Sequence, residues 1–148
     1  MIVFTLAVVL FFGISLAFAF AHTKPSKVVN ESDVAAMINF DRVKAGASSL
    51  GYETALADVA RAHSEDMAAR NFFSSINPDK ESPADRVRKA NYKYNGKLLE
   101  LIERDKSTTD AVAKAWLSGP ARERLLSDSY RRVGVGASNK RWTILLSD

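Results

Sequence analysis

The residues best suited to chemistry are one histidine, a nearby carboxylate and two serines. A Ser-His-Asp hydrolase needs the three side chains in mutual contact. Asp66 lies one helical turn after His63, but a helix directs Ser64 away from the imidazole. Ser74 is a second candidate hydroxyl, yet the chain has no Gly-x-Ser-x-Gly motif to expose a nucleophile. The sequence therefore gives a serine hydrolase little support.

A glutamate inside an apolar run is the second chemical feature. Glu100 interrupts the leucines and isoleucine of residues 98–102, a segment typical of a strand. Glu103 follows three residues later, so on a strand the two carboxylates face opposite sides and do not form an acid/base pair. If Glu100 points inward, it needs a partner such as an arginine, or its pKa rises. We expect structural pairing rather than catalysis.

Metal and thiol chemistry lack their usual residues. The chain has no cysteine and two histidines. His22 lies near the start of the chain, and His63 has Val59 and Met67 one helical turn away, neither of which is a metal ligand. Because zinc takes three or four His, Cys or carboxylate ligands, we expect His63 to be a packing residue. No metal and no cofactor are expected.

Hydrophobic periodicity and capping residues predict helices first and strands last, which indicates an α+β domain. The predicted N-caps are Ser32 for the first helix, Ser82 for the third, and Thr108 or Thr109 for the fourth. Residues 138–140 form the predicted hairpin turn. Gly134 and Gly136 lack the continuation of a phosphate loop and indicate a bend or a close backbone approach. Helices are predicted over 33–45, 53–75, 83–90, 110–117 and 121–126, and strands over 98–102, 132–137 and 142–146.

The first 21 residues carry no charge and are long enough to cross a bilayer as a helix. They end in Ala-Phe-Ala, which suits a signal peptidase, although a basic n-region is missing. If the segment stays attached, Lys24 and Lys27 favour a cytoplasmic domain. Two interpretations remain, a cleaved signal peptide or a membrane anchor, and we expect export. The predicted organisation is 1–21 signal or anchor, 22–31 linker and 32–148 domain.

The net charge of +4 mildly favours anionic partners. A positive segment interleaved with Tyr92 and Tyr94 could contact nucleic acid or anionic lipid. Such charge runs usually form a solvated face, so specific nucleic-acid binding is not expected. The candidate surface contacts are Arg86, Arg88, Lys89, Lys93 and Lys97.

The order of these landmarks resembles the CAP superfamily, or SCP domain, of cysteine-rich secretory, antigen 5 and pathogenesis-related proteins, in a bacterial form without cysteine. The resemblance covers residues 34–146. It is carried by Ile38-Asn39, Arg42, Gly46, Leu56, Ala60, residues 63–68 (HSEDMA), 71–74 (NFFS), 82–87 (SPADRV), Asn91-Tyr92, Ala111-Val112, Trp116, Ser118, Leu125-Leu126, 133–136 (VGVG) and Trp142-Thr143.

The resemblance implies a three-layer α-β-α sandwich with a mostly antiparallel sheet, following the N-terminal hydrophobic segment. In many members a surface cleft holds two histidines and acidic residues that can bind a divalent metal. Here Ser75 and Ala121 stand at the histidine positions, and Glu100 keeps the acid of the Glu-Asn-Ile motif. The resemblance therefore implies a degenerate cleft without a metal site.

Together these observations predict an exported or membrane-anchored CAP/SCP-like binding domain rather than an enzyme. The expected partner is a lipid, a cell-envelope component or another protein, by analogy with the family. Membrane contact is expected through residues 1–21 if they are not cleaved. The alternative is a metal-independent hydrolase that uses Glu100 and Ser75.

Overall fold

A computed structural model of the protein describes residues 30–148. A four-stranded sheet with the order β1-β3-β4-β2 lies between two helical layers. The predicted α+β, α-β-α architecture is confirmed. The elements are α1 (Glu31–Lys44), β1 (Gly51–Tyr52), α2 (Thr54–Ala69), α3 (Pro83–Lys89), β2 (Leu98–Arg104), α4 (Thr109–Ser118), α5 (Arg122–Leu125), β3 (Arg132–Ser138) and β4 (Arg141–Ser147).

The sheet is built around the hairpin that the sequence predicted. β3 and β4 pair antiparallel, and their turn places Asn139 and Lys140 at φ of 42° and 62°. Two successive left-handed residues give a turn whose twist matches that of the strands it joins. β2 pairs antiparallel with β4 and sets Glu100 opposite Leu145. β1 pairs parallel with β3 where the sequence predicted only a connection.

One face of the sheet carries the larger core. Alternate residues of β4, Trp142, Ile144 and Leu146, are buried against α1, α4 and α5. Trp142 also donates its indole N–H to the carbonyl of Lys106 at 2.9 Å. Val43 of α1 does not face this core, because it is 61% exposed.

On the other face, α2 lies directly against β3. Gly134 and Gly136 point toward this helix, and a Cβ at Gly136 would stand 2.0 Å from the backbone nitrogen of Arg61. The predicted close backbone approach is confirmed. Ser64 crosses the same contact, donating to the carbonyl of Gly136 at 3.0 Å and lying 2.9 Å from the hydroxyl of Thr143. The buried hydroxyl of Ser64 is therefore structural.

Local capping explains where the helices begin. Ser82 caps α3 through a reciprocal capping box with Asp85, and Thr108 caps α4, as the sequence predicted. The prediction for α1 was wrong by two residues, because Asn30 rather than Ser32 supplies the cap. Its side-chain oxygen accepts the backbone N–H of Ser32 at 3.3 Å.

The central helix is shorter than predicted. α2 ends at Ala69, and Asn71 adopts a left-handed φ of 51°. The N–H of Phe72 then bonds to the carbonyl of Met67 at 3.2 Å, the backward bond of a Schellman-type helix end. Residues 71–75 therefore form a loop that turns back over the cleft, where the sequence predicted continued helix.

Residues 1–21 lie outside the described residues, as does nearly all of the predicted linker. Between residues 30 and 148, no helix has both the length and the hydrophobicity that a membrane span requires.

We predict that Gly136→Ala lowers the free energy of unfolding by about 3 kcal/mol or more, because α2 must move off β3 to admit a methyl group. Gly46→Ala is the control, since nothing lies within 4 Å of its added Cβ although its φ is +82°. That control should cost about 1 kcal/mol. Urea denaturation of both variants checks the prediction, and equal losses would contradict it.

Candidate functional site

A surface cleft lies between α2, the loop after it and α3. Its volume is about 680 Å³, within the range of small-molecule sites. The α2 wall presents small apolar residues beside acidic ones, and α3 and its preceding loop supply charged groups. The lining residues are Ala55, Asp58, Val59, Ala62, His63, Asp66, Arg70, Asn77, Asp79, Glu81, Arg86, Lys89 and Ala90.

His63 lies at the base of this cleft and is 1% exposed. Its Nε2 is 3.1 Å from the carbonyl oxygen of Ser74, which can only accept a hydrogen bond. Nε2 therefore carries the proton, and Nδ1 is a free acceptor. Burial, and then the nearby charge of Arg86, lower the pKa of His63 to about 4. The imidazole is neutral at pH 7.

Glu100 points inward and has the arginine partner that an inward position requires. Its side chain is 2% exposed, and Oε2 accepts from Nη2 of Arg86 at 2.6 Å. Oε1 lies 3.8 Å from Nε2 of His63. Burial raises the pKa of Glu100, against the opposing effects of Arg86 and the Ser75 side chain. The result is a buried cluster of one acid, one guanidinium and one neutral imidazole.

Arg86 is held in place by more than its ion pair. Its Nη1 donates to the backbone carbonyls of Ser75 and Glu81, each at 3.0 Å. Three anchors, one on β2 and two on the loop before α3, leave the guanidinium little freedom to move. Arg86 was predicted as a surface contact, but its side chain is only 10% exposed and lies against Glu100.

The rim of the cleft is a set of ion pairs. Arg70 bridges Asp66 at 2.5 Å and Asp79 at 2.8 Å, and thereby joins α2 to the following loop. Lys89 pairs with Glu81, whose side chain also accepts from Asn77 at 3.0 Å. Sequence reasoning missed four of these rim residues, Arg70, Asn77, Asp79 and Glu81. The four-residue spacing of Asp66 and Arg70 was a usable signal, whereas the contacts of Asp79 and Glu81 depend on the path of the loop.

The structure brings together two of the three positions that the resemblance implied. Ser75 lies beside Glu100, close enough for its side chain to lower the pKa of the acid. Ala121 is the N-cap residue of α5 and packs against the larger core, so it does not line the cleft. His63, which was expected only to pack, lies in the buried cluster with Glu100 and Arg86.

The remaining predicted surface cations lie outside this cluster. Arg88 pairs with Asp85 at 2.9 Å, and Lys97 contacts the hydroxyl of Ser129 at 3.3 Å. Lys89 is on the rim, and Lys93 is exposed in the segment between α3 and β2.

The cleft residues do not fit a divalent cation. Across residues 30–148, no three His, Asp or Glu side chains are grouped so that they could hold one, and the chain has no cysteine. The Oε2 oxygen of Glu100 already accepts from Arg86. A guanidinium carries a permanent positive charge, so it would repel a metal at this carboxylate.

Comparison with known proteins identifies the family to which this domain belongs. Residues 35–143 match the CAP family, described as the cysteine-rich secretory protein family. Two curated relatives come from Bacillus subtilis. The uncharacterized protein YkwD is 33% identical over 80% of this chain, and the uncharacterized membrane protein YlbC is 30% identical over 81%. The chain spans only 48% and 35% of their lengths.

Solved structures show the same fold. An extracellular protein containing an SCP domain from Bacillus anthracis superposes with a TM-score of 0.76 and 26% identity, covering 79% of this chain and 39% of that one. An outer surface protein from Borrelia burgdorferi gives a TM-score of 0.70 at 17% identity, covering 79% of this chain and 90% of that one.

We predict that Arg86→Ala lowers the free energy of unfolding by about 3 to 5 kcal/mol, because it leaves the Glu100 carboxylate buried without a partner. Arg88→Ala is the matched control on the same helix. The Arg88 side chain is 74% exposed, so its ion pair contributes at most about 1 kcal/mol. Chemical denaturation at neutral pH measures both, and a small, equal loss in the two variants would contradict the buried pair.

We predict that His63→Gln weakens the acid sensitivity of the fold. The unfolded chain takes up a proton on His63 as the pH falls below its ordinary pKa of 6.5, whereas the folded chain resists until about 4. Stability is therefore lost as the pH falls through this window, by roughly 3 kcal/mol in total. The variant should lack this loss of stability. Glu100 and Asp66 titrate in both proteins, so the difference between the two curves reports His63. Parallel stability–pH curves would refute the prediction.

Proposed function

We propose, from the premise that this chain belongs to the CAP family, that it is an exported or membrane-anchored binding domain and not an enzyme. The proteins to which it is similar include an extracellular protein, an outer surface protein and a membrane protein. These descriptions point to an extracytoplasmic setting. The proposed partner is a lipid, a cell-envelope component or another protein that enters the cleft.

The observation that carries this proposal is the ion pair between Glu100 and Arg86. A general base or a metal ligand has to present a carboxylate oxygen to the substrate or the ion. Here Oε2 accepts from Arg86 at 2.6 Å, and the side chain is 2% exposed. The neighbouring His63 is neutral and bonds to a backbone carbonyl rather than to a hydroxyl. The cluster is thus arranged to hold the cleft together.

A metal-independent hydrolase is the second candidate. Burial raises the pKa of Glu100, and a carboxylic acid with a raised pKa can donate a proton in catalysis. The Ser75 side chain lies close to it and could act as the nucleophile. Against this, no histidine contacts the Ser75 hydroxyl within residues 30–148, so the serine has no base to activate it.

We predict that Ala62→Trp abolishes binding, because Ala62 lies on the cleft wall and an indole there fills the opening. Ala36→Trp is the matched control, an exposed helical alanine on α1 in the opposite layer. The full chain, kept in detergent micelles, is sedimented with purified bacterial cell-wall sacculi and separately titrated with phospholipid. Retained binding by Ala36→Trp and loss by Ala62→Trp supports the cleft. Equal behaviour of the two variants would contradict it.

The same preparations separate binding from catalysis. We expect no turnover of ester, peptide or glycoside substrates, and no change in melting temperature with Zn²⁺, Mg²⁺ or EDTA. Turnover that disappears in Glu100→Gln would establish the hydrolase instead. A metal-induced rise that EDTA reverses would show that the ligands lie elsewhere in the chain.

A further inference from the structure

The charges that line the cleft are already paired with one another. Arg70 is matched by Asp66 and Asp79, and Lys89 by Glu81. The two remaining charged residues of the lining pair with residues outside it. Arg86 pairs with Glu100, and Asp58 pairs with Arg61 at 2.8 Å. A phosphate, sulfate or carboxylate ligand would have to break an existing pair to find a cation. An organic cation would find the charge of each lining acid already neutralised by a basic partner. The charge pattern therefore favours an uncharged ligand.

Pairing leaves these groups able to make further hydrogen bonds. A carboxylate has about four lone-pair sites, and each ion pair uses only one or two of them. The side chains of Asp58 and Asp79 are 63% and 66% exposed, so their remaining sites face a ligand in the cleft. Because each pair also orients its partner, the acceptors and N–H donors are already aligned. This array suits a ligand with many hydroxyl or amide groups.

The wall between these groups carries small apolar side chains. Ala55, Val59 and Ala62 recur at four and three residues along α2, with Ala90 on the opposite side. Small side chains at helical spacing leave room for a ring to lie against the helix. A sugar ring presents C–H groups on its faces and hydroxyls at its edge, which matches an apolar wall bordered by hydrogen-bonding groups.

We propose that the cleft binds an uncharged saccharide, with its ring on the α2 wall and its hydroxyls on the rim carboxylates. This inference rests on the proposed binding function and names its ligand class. The ligand is thus an uncharged glycan and not an anionic lipid headgroup or an acidic polymer.

The test is calorimetric titration of the full chain in detergent micelles with two uncharged probes, the β-linked N-acetylglucosamine trimer and maltotriose. A heparin-derived tetrasaccharide is the anionic probe. We expect an uncharged trimer to bind with a Kd that changes less than about twofold between about 50 mM and about 500 mM salt, because no ion pair is formed. Binding should fall at least about tenfold in Ala62→Trp, about 1.4 kcal/mol, and stay within about twofold in Ala36→Trp.

Failure has two distinguishable forms. If neither uncharged probe binds, or if the anionic probe binds more tightly and loses affinity with salt, the saccharide inference is overturned. Cleft-dependent sedimentation with sacculi or binding of phospholipid would then still support the proposed function. If an uncharged probe binds and is cleaved, as mass spectrometry of the mixture would show, the ligand class is supported and the non-catalytic function is overturned.

Discussion

The contact between α2 and β3 determines the geometry of the cleft. Gly134 and Gly136 allow the helix backbone to lie against the strand, where a Cβ would stand 2.2 Å and 2.0 Å from backbone nitrogens of α2. The depth of this contact sets how far the inner face of α2 reaches toward the sheet. His63 consequently lies 3.8 Å from Glu100 on β2. A helix held farther from the sheet would open a gap above this carboxylate.

A buried carboxylate in such a position must be stabilised, and the chain uses a guanidinium. Arg86 reaches Glu100 from α3, whose first turn is secured by the capping box of Ser82 and Asp85. Its other hydrogen bonds go to backbone carbonyls on the loop before that helix. Removing a charge from water costs several kcal/mol, which good geometry and further hydrogen bonds offset. The ion pair therefore ties α3, the loop and the sheet together.

The shared fold does not by itself determine the chemistry of the cleft. The α-β-α frame superposes on the Bacillus anthracis SCP domain with a TM-score of 0.76, although only 26% of the residues are identical. A frame maintained by backbone contacts and apolar packing tolerates changes in the cleft, so fold alone does not determine chemistry. The paired charges and the neutral imidazole of this chain support binding of an uncharged ligand more strongly than proton transfer or metal coordination.

The sequence by itself determined the features that depend on residues within about one helical turn. Apolar periodicity predicted the helices and strands, and Ser82 and Thr108 marked two helix starts because a cap contacts residues only three positions away. It also indicated that an inward Glu100 would need an arginine, without saying which one. It overextended α2, because the left-handed conformation of Asn71 is not encoded by hydrophobic pattern.

Only the tertiary structure decided which distant side chains meet. Arg86 and Glu100 are 14 residues apart, and His63 reaches the same acid from a different element. Ala121 packs in the opposite layer from the cleft, although a family motif associated it with Ser75 and Glu100. Such contacts depend on how helices pack against the sheet, which is set by shape and burial across the whole domain. Local periodicity carries no information on those distances, so the buried cluster became visible only in three dimensions.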